Sequence, residues 1–309
     1  MKVSIIFQGP VVFFRGKNLT KNAIVSALKF FQGAEIILST WRGQKLDEIK
    51  QLNVKIILNE DPGSEIRKDY PKTYHNANRI ILSSFQGLKN ASNDLIIKCR
   101  SDIIFKNQQC LNYFKLYKKY DNNFKILDNK VVVSNQTTIN TKYGPKLLYH
   151  ICDWFFLGNK KDLLKIFNIN FIKDEDVRYY SISTKPENII DKNNISRYMA
   201  EDYITHKFIS KYIKIRHDYY CDFDLVEKEK FERILSSNFV VVDNNKLGFK
   251  AGKYYNLSIR YLWKSYTYNE WKSLYRKYIL YEKSNRFDID RIKLSFLNPI
   301  KSLIFFLKK

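Results

Sequence analysis

Four short apolar runs mark the chain through residue 105, and stretches with helical spacing separate them. Residues 3–7, VSIIF, close on Gln8-Gly9-Pro10 and read as a buried strand ending in a turn. Ile24, Ala27, Leu28 and Phe31 recur at helical spacing, which predicts a helix capped by Thr20 and stopped at Gly33. AEIILSTW (34–41) is a second strand, followed by a short polar helix near 44–51. VKIILNED (54–61) is a third, closed by Asp61-Pro62-Gly63. Residues 75–90 predict a helix with Ala77, Ile80, Ile81, Phe85 and Leu88 facing inward, and DLIIKCRSDIIF (94–105) is a fourth strand.

Strands that are apolar at every position, rather than alternating, belong in a sheet covered on both faces. With helices between them, the pattern predicts an α/β fold with a mostly parallel central sheet of Rossmann type. Ligands in such sheets sit outside the carboxyl ends of the strands. Those ends carry Gln8-Gly9-Pro10, Ser39-Thr40-Trp41, Asn59-Glu60-Asp61 and Arg100-Ser101-Asp102, so polar residues collect at one rim. The middle of the chain is less regular: helices are expected at 111–120, 161–167 and 201–212, a strand at 131–135, and a hairpin across 240–249. Residues 173–200 are expected to form a mobile loop.

From 257 onward the character changes. Thr267 and Glu270 form a capping box ahead of Trp271, Leu274, Tyr275, Tyr278 and Ile279. Asn298-Pro299 opens a last helix, IKSLIFFLKK, which is apolar, aromatic and basic-ended. It reads either as a segment lying in a membrane interface or as a helix packed on the core. The expected organisation is a main domain over 1–256, its regular strand-and-helix half about 1–160, and a helical basic extension over 257–309.

Composition changes this picture in two places. The net charge is +23, which implies either attraction to an anionic surface or the lysine-rich codon bias of an AT-rich genome. Cys99, Cys110, Cys152 and Cys221 are widely spaced with no CxxC, so reduced, buried thiols are expected. No apolar run is long enough to span a bilayer, and MKVSIIFQGP is too short for a signal-peptide core. The expectation is a cytoplasmic protein, peripheral on the inner face of the inner membrane.

Arg100 and Asp102 interrupt an otherwise apolar strand, where charges are costly unless paired or facing a ligand. The two readings are a carboxylate holding a divalent cation on a diphosphate and a structural Arg–Asp pair. His75, Asn78 and Arg79 share a helix face that either meets ribose and phosphate or faces solvent. Asp153 lies in an apolar, aromatic run beside Trp154, a platform for a sugar ring. Glu201, ahead of an amphipathic helix, is a second candidate acid, although helix starts favour acids for capping alone. No nucleophile elbow, Walker loop or GxGxxG is present, which removes the usual hydrolase, NTPase and dinucleotide-oxidoreductase readings.

At IIFQGP (5–10), GAEIILSTW (33–41), LNEDPG (58–63), the His75–Arg79 segment, KCRSDIIF (98–105) and DWFFLG (153–158) the chain resembles the WavE lipopolysaccharide-synthesis family. The resemblance implies a GT-A-like fold and transfer of a sugar from a nucleotide-sugar donor to a lipopolysaccharide or capsular polysaccharide acceptor. It implies donor binding by Gln8, Gly9 and Pro10, a metal ligand for Mn²⁺ or Mg²⁺ in Asp102, and a place on the sugar and acceptor side for Asp153; it makes 1–256 the catalytic domain and about 1–160 its nucleotide-sugar half. The strand ends and helix faces read above add Ser39, Trp41, Asn59, Glu60, His75, Asn78, Arg79 and Arg100 as donor residues, Asp153 and Glu201 as catalytic acids and Trp154 as the sugar platform. One departure stands out: Arg100 takes the first place of the usual Asp-x-Asp and brings positive charge where the cation's charge is expected. The implied partners are a lipid-linked or core oligosaccharide acceptor and the anionic inner leaflet, with no nucleic acid. The rival readings are a nucleotidyl- or phosphotransferase of precursor synthesis and a non-enzymatic nucleic-acid-binding protein. The second predicts basic residues gathered on one face, whereas lysine is spread throughout.

Overall fold

The computed structural model describes residues 2–63, 75–252 and 262–282. In chain order the elements begin with β1 (Val3–Gln8), a hairpin of β2 (Phe13–Phe14) and β3 (Lys17–Asn18), α1 (Leu19–Phe30), β4 (Glu35–Trp41), α2 (Asp47–Lys50) and β5 (Lys55–Asn59). They continue with α3 (Ala77–Asn90), β6 (Leu95–Arg100), β7 (Ile103–Phe105), β8 (Val131–Ser134), β9 (Phe155–Asn159), α4 (Lys160–Phe167), α5 (Asp174–Val177) and α6 (Ala200–Ile209). α7 (Leu225–Asn238), β10 (Phe239–Val242), α8 (Asn244–Leu247), β11 (Phe249–Ala251) and α9 (Tyr268–Tyr275) complete them.

The first, second and fourth apolar runs become inner strands for the expected reason, while the third, β5, is the half-exposed edge strand. β1 is buried at every position and β4 at all but its first, because helices cover both faces of their sheet. That sheet has seven strands in the order β10-β8-β9-β6-β1-β4-β5. Every pairing is parallel except the two made by β9, which runs antiparallel to β6 and β8. The carboxyl ends of the parallel strands therefore share one rim with the amino end of β9. The fold is α/β, with a mostly parallel central sheet of Rossmann type.

Helix α3 lies unusually close to the sheet because its inner face is small: Ser83, Ser84 and Gly87 are all buried. A Cβ on Gly87 would sit 2.4 Å from Ile6 Cγ2, so only glycine fits. At the other end of the chain the Thr267–Glu270 capping box forms as expected. Trp271 is fully buried and belongs to the same apolar cluster as β1 and β6, so the described part of 257–309 packs on the main core. The expected helix at 300–309 lies outside the described residues. Among the described residues no helix is long and apolar enough to cross a membrane. All four cysteines are buried and free.

Several local expectations are corrected. The α1 cap is Asn18, whose side chain accepts from the Lys21 N–H, while Thr20 Oγ1 receives the Val12 N–H. The fourth strand splits: β6 stops at Arg100, the chain turns at 101–102, and β7 pairs with β11 instead. At 111–120 only a 3-10 turn forms, Gln109–Tyr113, because Tyr117 leaves the helical path to pack on Trp271 and Tyr275. The hairpin across 240–249 is absent: β10 pairs with β8 in the main sheet, α8 follows, and Gly248 at φ +76° redirects the chain into β11. Residues 173–200 are folded back on themselves, with Arg197 N–H on Asp176 O at 2.8 Å and Tyr180 N–H on Ile195 O at 2.8 Å.

Gly87→Ala is expected to lose about 1–3 kcal/mol of stability, the usual cost of overpacking. Urea denaturation checks this; an unchanged midpoint would mean that α3 can ride outward at no cost.

Candidate active site

A cavity of about 650 Å³ opens at the carboxyl rim. Its floor is the turn after β1. Gly9 sits at φ +110°, a conformation side chains resist, and its N–H reaches Ser39 O at 3.1 Å. Gln8 is fixed from below by Ser83, whose hydroxyl donates to Gln8 Oε1 at 2.7 Å. Trp41, at the end of β4, adds an apolar flank.

One wall is cationic. Arg79, on the first turn of α3, makes a bidentate contact with Asp61, Nε at 2.7 Å and Nη2 at 2.5 Å. Arg100, at the end of β6, holds Asp102 at 3.0 and 3.2 Å and lies 4.8 Å over the Trp154 ring. Asp102 is fully buried, so the Arg100 charge both compensates it and reaches the cavity. This geometry realises the structural-pair reading of the two residues.

Carboxylates line the cavity as well. Asp153 and Glu201 line the cavity together, and both also border a small apolar void behind it. Burial raises the Glu201 carboxyl above its usual range; His150, 3.8 Å away, opposes this, and the nearby Asp153 charge adds to it. His150 Nδ1 lies 2.8 Å from Thr137 O, which fixes the proton on Nδ1 and turns Nε2 toward Glu201. Beneath Asp153 lies Lys98, fully buried, with Nζ on Asp153 O at 2.7 Å and the Phe156 and Phe167 rings at 5.2 and 4.9 Å. Burial pulls its ammonium down to about 8, against the Asp153 charge.

Another wall is residues 191–201, tied to α3 by His75, whose Nε2 lies 3.0 Å from Tyr198 O. Burial lowers the His75 pKa, so the neutral ring donates to that carbonyl. Nothing in the sequence marked Asp191, Asn194, Tyr198 or Met199 as cavity residues, since an irregular segment has no periodicity to read. Gln44 was missed for the same reason.

Other expected donor residues hold the scaffold. Asn59 bonds Ser39 Oγ and Thr40 O, joining β5 to β4. Asn78 clamps both backbone groups of Ile172. Glu60 is an exposed partner of Arg42. Trp154 lines the cavity, and its ring carries the Arg100 guanidinium. A divalent cation does not fit the residues present: both Asp102 oxygens are held by Arg100, and the described residues contain no group of three or more His, Cys, Asp or Glu that could hold a metal.

A family model described as WavE lipopolysaccharide synthesis matches residues 3–304. The chain belongs to the WavE family. Comparison with curated proteins gives no match. Among solved structures the WavE chain is similar to 4-diphosphocytidyl-2C-methyl-D-erythritol synthase from Anaerococcus prevotii DSM 20548, at 16% identity and TM-score 0.34, covering 77% of this chain and 96% of that one. It is also similar to the inositol-1-phosphate CTP transferase from T. maritima, at 15% identity and TM-score 0.35, covering 77% and 97%. HddC from Yersinia pseudotuberculosis gives 15% identity and TM-score 0.31, covering 53% and 79%.

Lys98 yields a signed prediction. Its folded-state pKa of about 8 lies below the ordinary lysine value of 10.5, so the folded state disfavours the charge. That penalty is complete below pH 8 and is relieved as pH rises toward 10.5. At about 1.4 kcal/mol per unit, the WavE protein gains about 3 kcal/mol over that window from this group. Lys98→Met should remove that gain, read as the difference between the two proteins' denaturation midpoints from pH 7 to 10. Parallel curves would contradict it.

Proposed function

We propose that this WavE protein is a glycosyltransferase that moves a sugar from a nucleotide-sugar donor to a lipopolysaccharide or capsular polysaccharide acceptor. The observation that carries the reading is the convergence, in one cavity, of the Arg79 and Arg100 guanidinium groups with the Asp153 and Glu201 carboxylates. A diphosphate is recognised by guanidinium groups, and a reacting hydroxyl needs a base. The cavity volume suits a nucleotide sugar rather than a macromolecule.

In this reading the base and ribose lie over Gln8-Gly9-Pro10 and Trp41, and the phosphates face Arg79 and Arg100. The acceptor hydroxyl attacks the anomeric carbon, the bond from that carbon to the phosphate oxygen breaks, and the nucleoside diphosphate leaves with the electron pair. Arg100, already charged and packed on Trp154, meets the negative charge that develops there without reorganising. Glu201 takes the hydroxyl proton. A carboxylate with a raised pKa is a stronger base, and burial supplies that rise. Asp153, held from below by Lys98, faces the sugar.

The test is release of nucleoside diphosphate from a panel of nucleotide sugars in the presence of lipopolysaccharide or lipid-linked acceptor. Glu201→Gln should lower turnover about 100-fold or more with nucleotide affinity retained, and wild-type turnover should fall as acid protonates Glu201. Full turnover in Glu201→Gln would remove the base assignment. Pyrophosphate release from a nucleoside triphosphate and a sugar phosphate, with no glycan acceptor, would replace glycosyl transfer by nucleotidyl transfer.

A further inference from the structure

Between the cavity floor and α1 the chain makes the β2–β3 hairpin. Its base is fixed by three bonds: Val11 N–H to Gln44 Oε1 at 2.8 Å, Val12 N–H to Thr20 Oγ1 at 2.9 Å, and Leu19 N–H to Val12 O at 2.8 Å. Its turn is a two-residue one with φ +49° at Arg15 and +72° at Gly16, the left-handed geometry that matches strand twist. The tip is thus held in shape, with its side chains partly in solvent. Phe13 is 46% exposed and Phe14 40%, and Arg15, Gly16 and Lys17 are exposed beside them.

Two adjacent aromatic rings held out on a braced turn cost free energy in water and add little to the core. The charge around them shows what would cover them. Arg15 lies 5.3 Å over the Phe14 ring, and Lys17 is paired with Phe14 across the hairpin. Residues 1–34 contain Lys and Arg but no acid, the first being Glu35, and the whole chain carries +23. Aromatic rings flanked by cations match the headgroup zone of an anionic bilayer, where the rings enter the acyl boundary and the cations meet lipid phosphates. Pro10 and Val12, at the hairpin's base, line the cavity.

We propose that the β2–β3 hairpin is a membrane-docking element: Phe13 and Phe14 insert into the interface of an anionic bilayer, with Arg15 and Lys17 on its headgroups. Docking there turns the cavity mouth toward the lipid surface, within reach of a lipid-borne substrate. The proposal rests on the hairpin's exposure and charge, and holds whatever reaction the cavity performs.

The experiment is co-sedimentation of the full chain with phosphatidylcholine vesicles, with and without phosphatidylglycerol, at low and high salt. Binding should require the anionic lipid and weaken with salt. Phe13→Ser/Phe14→Ser should lower partitioning about tenfold or more with an unchanged melting temperature, because both side chains are exposed. Phe14→Trp, which keeps the aromatic, should show added emission quenched by bromine-labelled acyl chains. Wild-type partitioning by the double serine variant would overturn the proposal and place membrane attachment elsewhere in the chain. So would absence of binding to anionic vesicles at low salt, or an added Trp emission that the labelled chains leave unquenched.

Discussion

A strand run backwards decides what faces the cavity. β9 lies antiparallel between β6 and β8, so it begins at the rim where its neighbours end. Asp153 and Trp154, just ahead of β9, are therefore delivered beside Arg100, the last residue of β6, and Arg100 N–H closes the junction on Trp154 O at 3.0 Å. Reverse the strand and the acid would emerge on the opposite edge of the sheet. The Arg100–Trp154 stack and the approach of Asp153 to Arg100 follow from that one pairing, while α3 and α6 bring in Arg79 and Glu201.

Charge burial around this junction is managed in layers. Asp102 is fully buried, and its oxygens are held by Arg100, whose own plane rests on Trp154. One level down, Lys98 is enclosed by Phe156 and Phe167 and bonds the backbone of Asp153. Burying charges in this way is a weak source of stability, since desolvation offsets much of the attraction. What it provides is a fixed position for a guanidinium and a carboxylate before any ligand arrives, which is the condition for electrostatic stabilisation of a reacting group.

How much of this was legible in the sequence depended on whether a residue's neighbours were regular. β1, β4 and β6 were readable because buried strands leave unbroken apolar runs, and β5, at the sheet edge, because its run is apolar too; the residues at these ends led to Gln8, Gly9, Pro10, Trp41 and Arg100 in the cavity. β9 escaped because its run also reads as an aromatic loop, and no local signal gives a strand's direction. Ser39 and Asn59 sit at strand ends but spend their side chains on each other. Asp102 follows Arg100 by two residues, yet the turn at 101–102 carries it behind the wall rather than into it. Tyr198 and Asp191 come from a segment whose placement depends on long-range contacts such as His75 to Tyr198, which no window of sequence contains.

A nucleotide sugar bound in this cavity must protect the backbone that lines it. Hydrogen–deuterium exchange of the protein with and without its preferred nucleoside diphosphate, in buffer containing a chelator, reads that protection. The account predicts slowed exchange in peptides covering 8–12, 75–80 and 191–201, which line the cavity from three separate parts of the chain. Protection confined to other segments, or none without added Mn²⁺, would contradict it.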